Sequence, residues 1–325
     1  MAEPASSLSP AASPATSDVH DGEAVDVSII LPIFNEVEHL KQEVDRIRAS
    51  MDASEYSYEI IAVDDGSSDG SGELAQQLGG MRVISFLQNR GSGSARKAGT
   101  NAARGRVTVW TDVDMTYPND TIPNLVKELD GYDQVVGART TEEGTKKALR
   151  VPAKWFIRKL ASFLTSTKIP DLNSGFRAFR TVVAKQYTRH LPPGFSCVTT
   201  MTMTFLANGY SVKYIPIEYG KRAGESKFHP IKDTRRYGTQ VVRMVLSYNP
   251  LAIFMPIGLG LLALGIGKGI YDVVRYDFRP TTNTLLLLFA AMQIIVIGLL
   301  ADLVVRVSKD RDEVAPASYT KYDAA

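Results

Sequence analysis

Residues 58–70 read YEIIAVDDGSSDG, and this stretch decides the fold. An apolar run of strand length stops at two adjacent acids and a Gly/Ser turn. GELAQQL (72–78) then follows with helical spacing. The same order precedes it: VDVSIILPIF (25–34) is a strand of the doubly buried type, and EHLKQEVDRIRASM (38–51) is helical. Further along, MRVISFLQ (81–88), VTVWTDVD (107–114) and DQVVGAR (133–139) supply three more strands. Strand–helix alternation predicts an α/β fold, an open and mostly parallel sheet with helices on both faces. Ligands of such sheets bind at the carboxyl ends of the strands, where the polar clusters of this chain sit.

Length and charge bound the function. The 325 residues correspond to about two domains. With Lys+Arg 37 against Asp+Glu 35, the net charge of +2 argues against a protein built to coat nucleic acid. Hydrophobic residues at 44% and charged residues at 22% exclude disorder of the whole chain. The single cysteine, Cys197, excludes an intramolecular disulfide framework and any zinc site built on two cysteines. Residues 1–24, rich in Ala, Ser and Pro, have neither the basic start nor the apolar core of a signal peptide, and they read as a disordered tail.

The last 80 or so residues change character. No charge occurs from Met244 to Gly267, nor from Pro280 to Ala301. About 20 helical residues cross a bilayer core, so both stretches are long enough, at about 250–272 and 281–305. The short link between them makes a hairpin (250–306) with both flanks on one side. Arg235, Arg236 and Arg243 before it, with Arg306, Lys309 and Arg311 after it, place residues 25–230 and the 307–325 tail in the cytoplasm, at an inner or plasma membrane. Residues 231–249 alternate basic and apolar positions at helical spacing and read as an interfacial amphipathic helix.

Five clusters carry chemistry. Asp112-Val113-Asp114 ends a strand, and alternation turns its two acids to one side, where Mg²⁺ or Mn²⁺ could join them to a diphosphate. Asp64 and Asp65 open an acidic turn in which Asp69 or Ser68 is expected to cap the next helix. NRGSGSARK (89–97) fails the dinucleotide and P-loop patterns, yet its glycines suit a phosphate or a close backbone approach. The bases Arg139, Arg150, Lys154 and the RAGESK stretch (222–227) suit phosphate. DLNSGFR (171–177) is a polar turn with no unique reading.

Taken in order, LPIFNE (31–36), VDDGSSDGS (63–71), NRGSGSARKAG (89–99), DVDMTYP (112–118), DLNSGFR and RAGESK resemble the family 2 glycosyltransferases. The likeness is narrower still to the polyprenyl-phosphate transferases related to dolichyl-phosphate mannose synthase, including bacterial members with a C-terminal membrane hairpin. The resemblance implies a GT-A catalytic domain over 25–230, a nucleotide-sugar donor, a polyprenyl phosphate acceptor at the membrane and no nucleic acid partner. By position, Pro32, Phe34 and Glu36 would line the nucleotide pocket with Asp64 or Asp65 near the base. Asp112, Val113 and Asp114 would meet the nucleotide, with Asp112 and Asp114 at Mg²⁺ or Mn²⁺. Thr116 stands where many relatives have Gln. Arg139 with Arg150 or Lys154 would receive the lipid phosphate, while Arg222, Ser226 and Lys227 would close over the donor diphosphate. Asp171 is expected to shape the acceptor site rather than abstract a proton.

An acceptor phosphate is already anionic, so the implied reaction is a single inverting displacement with UDP-glucose or GDP-mannose as expected donor. A homo-oligomer is compatible with all of these features. Three rivals are weaker. A processive polysaccharide synthase would need a QxxRW signature, where Gln240–Met244 ends in Met, and more than two spans. A non-catalytic membrane partner would not need both DxD acids and the RAGESK bases. A dinucleotide-dependent oxidoreductase rests on the failed glycine pattern alone.

Overall fold

The computed structural model describes residues 25–140, 167, 169–194, 196–220, 246, 249–275 and 280–309. Strands β1 (Val27–Ile33), β2 (Tyr58–Asp64), β3 (Arg82–Ser85), β4 (Val107–Trp110) and β5 (Gln134–Arg139) form where the apolar runs predict them. Two more, β6 (Arg177–Arg180) and β7 (Val212–Ile217), complete a seven-stranded sheet of order β3-β2-β1-β4-β6-β5-β7. All pairings are parallel except those of β6, which runs antiparallel to both β4 and β5.

Side-chain alternation along the strands feeds two cores. Ile29, Leu31, Ile60, Ala62, Val109 and Val135 point to the face covered by α1 (Val37–Asp52), α2 (Ser71–Gln77) and α4 (Ile122–Lys127). Ile30, Ile61, Val63, Trp110 and Phe179 point to the face covered by α3 (Ser92–Ala102), α5 (Thr181–Tyr187) and α6 (Ser196–Ala207). Trp110 anchors that second core: its ring meets Phe179 edge-on at 5.0 Å, and its indole N–H donates to Thr100 Oγ1 at 2.9 Å. Truncating a buried Trp of this kind costs about 3–5 kcal/mol.

β6 and β7 carry little of the strand signal. β6 is the four residues RAFR, and its Arg177 is wholly buried. Its guanidinium is satisfied by neutral acceptors, Ser174 O, Val198 O and Thr202 Oγ1, and burial lowers its pKa to about 10. β7 contains Pro216, which an edge strand tolerates.

The C-terminal helices α7 (Leu251–Arg275) and α8 (Thr282–Lys309) form a hairpin, each long and apolar enough to cross a membrane. They meet at glycines: a Cβ on Gly258 would lie 2.5 Å from Ile295 Cγ1, and one on Gly265 2.7 Å from Leu288 Cδ2. Large apolar side chains such as Leu264, Phe289 and Val304 face outward. The charge is turned inward at the hairpin's turn. There the buried Asp272 accepts from Lys268 Nζ at 3.0 Å, from the Thr281 amide at 3.0 Å and hydroxyl at 2.7 Å, and from Thr284 Oγ1. Residues 1–24, 231–245 and 310–325 lie outside the described residues.

Candidate active site

The carboxyl ends of β1, β2 and β4 bring the first three clusters together. Pro32 lies in β1 opposite Val63 of β2, and Phe34 and Glu36 follow where the strand runs out. Asn35 takes φ 55°, and its side chain accepts from the Ser68 amide at 2.9 Å, which locks the β1 exit to the β2 turn. Gly70 takes the N-cap position of α2, and Asp69 just before it still accepts from the helix's first amide, Ser71 N, at 3.0 Å, and from the Ser71 hydroxyl. Its other oxygen accepts from the first amide of α1, Val37 N, at 3.1 Å. Asp69 thus makes the expected local contact with the start of α2 and also reaches the start of α1 across the site.

Asp64 and Asp65 are both buried, with different roles. Asp64 Oδ1 accepts from Ser67 N at 3.0 Å. Asp65 receives Arg90 N at 2.7 Å and Gly91 N at 2.8 Å. Burial nevertheless pushes its carboxyl above the usual range. The glycine-rich turn is built for close backbone approach. Gly93 N donates to Pro193 O at 2.8 Å, and a Cβ on Gly91 would lie 2.4 Å from that oxygen. A carbonyl thus occupies the start of α3 where a phosphate could have sat.

The acids of DVD face the site while Val113 turns into the core, so only its backbone could meet a ligand. Asp112 Oδ1 pairs at 2.5 Å with Arg96 of α3, which is fully buried, and Asp112 retains 28% side-chain exposure. Asp114 Oδ1 accepts from the Thr116 hydroxyl at 2.5 Å and its amide at 3.3 Å, with Met115 between them at φ 62°. Beneath the loop, Asn119, at the start of the short 3-10 turn Asn119–Thr121, ties it to α1: its Nδ2 donates to Asp112 O at 3.1 Å and to buried Glu43 of α1, and its Oδ1 accepts from Thr111. Burial raises the Glu43 carboxyl above its ordinary value.

On the other side of the sheet's end, Arg139 closes β5. Its Nε and Nη2 donate to the two oxygens of Asp171 at 2.7 and 3.0 Å, and its guanidinium lies 5.2 Å from the ring centre of Tyr219. Burial alone would raise the Asp171 carboxyl, but the Arg139 pair outweighs it and holds the group below its usual range. The two halves touch. A Cβ on Gly175 would lie 3.0 Å from Arg96 Nη2 and 3.1 Å from Asp112 Oδ2, so only glycine fits over that pair without displacing it. Gly220 N donates to Thr116 O at 2.9 Å, which ties the segment after β7 to the acidic loop two residues before Arg222.

The structure thus gathers Pro32, Phe34, Glu36, Asp64, Asp65, Asp112, Asp114, Arg139 and Asp171 at one end of the sheet. Arg150, Lys154, Arg222, Ser226 and Lys227 lie outside the described residues. Sequence reading missed Arg96, Glu43, Tyr117, Asn119 and Gly175 as site residues. Arg96 is the charged member of the buried face of α3, beside Gly93, Ala95, Gly99 and Thr100, while its neighbour Lys97 is not among the buried residues. Among the described residues no three His, Cys, Asp or Glu side chains cluster to hold a metal unaided. The hard carboxylates of part-exposed Asp112 and buried Asp114 are of the kind that fits Mg²⁺ or Mn²⁺, which commonly take few protein ligands.

Comparison with known proteins places the chain in a family. Residues 28–188 match Glycosyl transferase family 2, and residues 249–307 match the GtrB C-terminal hairpin. The chain is 29% identical over 312 residues to the undecaprenyl-phosphate 4-deoxy-4-formamido-L-arabinose transferase of Edwardsiella ictaluri, covering 87% of this chain and 90% of that one. It is 30% identical over 225 residues to the dolichyl-phosphate hexose transferase of Haloferax volcanii, covering 68% and 95% respectively. Among solved structures, glucosyl-3-phosphoglycerate synthase from Mycobacterium tuberculosis, in complex with Mn²⁺, UDP and phosphoglyceric acid, has a TM-score of 0.54 at 21% identity. That match covers 69% of this chain and 78% of that one, and it shows the shared fold. The chain belongs to the family 2 glycosyltransferases, among the polyprenyl-phosphate sugar transferases that carry a C-terminal membrane hairpin.

Proposed function

We propose that the chain transfers a hexose from a nucleoside-diphosphate sugar to polyprenyl phosphate in one inverting step, at the cytoplasmic face of the membrane. The observation that carries this reading is the meeting of two unlike Arg–Asp pairs at one sheet end. Asp112 and Asp114 offer acids to the donor side, and Arg139 offers a base to the acceptor side. A phosphate oxygen of the lipid attacks the anomeric carbon as the bond from that carbon to the diphosphate oxygen breaks, releasing the nucleoside diphosphate. No base is needed, because the nucleophile is already an anion. Mg²⁺ or Mn²⁺ bound at Asp112 and Asp114 would supply charge neutralisation of the leaving diphosphate.

This chain's own residues do the rest. Pro32, Phe34, Glu36 and Asp64 line the nucleotide side, while Asp65 holds the Arg90–Gly91 backbone beside it. Arg222, Ser226 and Lys227 act on the diphosphate, a role supported by the Gly220–Thr116 hydrogen bond that leads the chain to the acidic loop. Arg139, with Arg150 or Lys154, receives the lipid phosphate. Asp171 orients Arg139 and, held ionised by it, is a poor proton acceptor. UDP-glucose and GDP-mannose are the leading donors. The catalytic domain lies at residues 25–230, and residues 231–249 lie along the bilayer surface.

Detergent-purified full-length protein, incubated with Mn²⁺ or Mg²⁺, a panel of UDP- and GDP-sugars and undecaprenyl phosphate, tests the reading by mass detection of the glycolipid. A metal-dependent product with one donor is the expected result. Slow donor hydrolysis without glycolipid overturns the acceptor assignment, and absence of any donor binding overturns catalysis.

A further inference from the structure

Tyr117 stands three residues beyond Asp114, in a position that a solvent-facing loop residue would ordinarily fill, yet it is only 4% exposed. Its hydroxyl oxygen accepts the Gly175 backbone N–H at 2.7 Å. Its ring stacks on Phe176, with centroids 5.8 Å apart and planes at 16°, and meets Tyr219 edge-on at 5.2 Å. Tyr219 in turn lies under Arg139, whose guanidinium grips Asp171. One side chain therefore touches the segment that shapes the acceptor pair, at Gly175 and Phe176, and the ring that carries the acceptor base. It belongs by sequence to the acidic loop of the donor side, where Arg46 also holds its carbonyl oxygen at 3.3 Å.

We infer that Tyr117 is a positioning residue that sets the acceptor segment and Arg139 at a fixed distance from the donor acids. The inference rests on the acceptor reading given above. Its physical content is narrow. The Gly175 amide is buried, and without the phenolic oxygen it has no acceptor there, so the segment must shift to find one. Gly175 lies against Asp112 Oδ2 and Arg96, which leaves little room to move toward the donor side. The shift is thus directed to the acceptor side, and acceptor binding should suffer first. No proton or electron moves in this role.

Tyr117→Phe removes only the hydroxyl and keeps both ring contacts. In full-length protein in detergent, the affinity for farnesyl phosphate is expected to fall about tenfold, equivalent to about 1.4 kcal/mol. Affinity for UDP or GDP with Mn²⁺ should stay within about twofold, a change below 0.5 kcal/mol by the same conversion. Tyr219→Leu removes the ring beneath Arg139 and leaves the Gly175 amide bonded. It is expected to weaken farnesyl phosphate binding about two- to fivefold, and supplies the same comparison should the first variant not fold. Equal loss of nucleotide and lipid affinity in Tyr117→Phe overturns the inference, because it marks a general structural defect. Unchanged lipid affinity in Tyr117→Phe, beside a clear loss in Arg139→Ala, overturns the inference and leaves the acceptor reading standing. Unchanged affinity in both variants overturns both.

Discussion

The two Arg–Asp pairs at the end of the sheet use the same chemistry at different burial. In the Arg96–Asp112 pair the arginine is the hidden partner: Arg96 is 2% exposed and Asp112 28%. In the Arg139–Asp171 pair the two are hidden almost alike, Asp171 at 9% and Arg139 at 16%, and the arginine spans both carboxylate oxygens. Burying the base leaves an acid facing the site, which attracts a cation. In the Arg139–Asp171 pair both partners are largely enclosed, and only guanidinium N–H groups that Asp171 does not take could meet an anion. A transferase that must bring two phosphate-bearing substrates together has use for both signs a short distance apart.

The comparison can be broken at several strengths. Asp114→Asn is expected to have the largest effect, a loss of about a thousandfold in turnover, read as glycolipid formed under saturating Mn²⁺. Near-normal turnover would remove the acidic loop from the mechanism. Arg139→Ala leaves Asp171 buried and uncompensated, so about 3 kcal/mol of stability should be lost in denaturant unfolding of the soluble domain signal, alongside weaker lipid phosphate binding. Arg96→Met should cost less, about 1–2 kcal/mol, because Asp112 can turn to solvent. Its main effect is on nucleotide affinity, measured by titration with UDP or GDP and Mn²⁺. A larger stability loss in Arg96→Met than in Arg139→Ala would reverse the order in which the two acids are buried.

The smallest effect is on pH dependence. Asp171 has a folded pKa below its unfolded value of about 3.9. Its contribution is therefore fully present above that unfolded value and is lost as pH falls through the depressed folded one. Asp171→Asn should flatten this acid limb of the stability curve while leaving the slope above pH 5 unchanged. An unaltered acid limb would mean that the pair contributes nothing to folding.

Much of this was legible in the sequence because strand ends announce themselves. Apolar runs that stop at Asp64-Asp65 and before Asp112 located β2 and β4 and the acids beyond them, and the strand–helix alternation announced helices on both faces of the sheet. β6 escaped because Arg177 makes a four-residue strand look like polar turn, and its burial depends on carbonyls of Ser174 and Val198 far apart in sequence. Arg96 and Glu43 escaped for a related reason. A charged residue on a helix reads as solvent-facing until the partner that buries it, Asp112 or Asn119, is known to lie across the fold. Tyr117 escaped because a tyrosine next to a proline in a loop has no periodicity to betray its packing.

The knot of hydrogen bonds around Asp272 has a consequence for how the protein is made. Lys268 and Asp272 stand on α7, while Thr281 and Thr284 belong to the start of α8. A ribosome delivers α7 first, with its acid not yet met by the threonines, and the acid becomes fully enclosed only when the second helix folds back. The unit that settles in the lipid is accordingly the pair of helices, and a chain released between residues 276 and 280 would present an unfinished element to the insertion machinery.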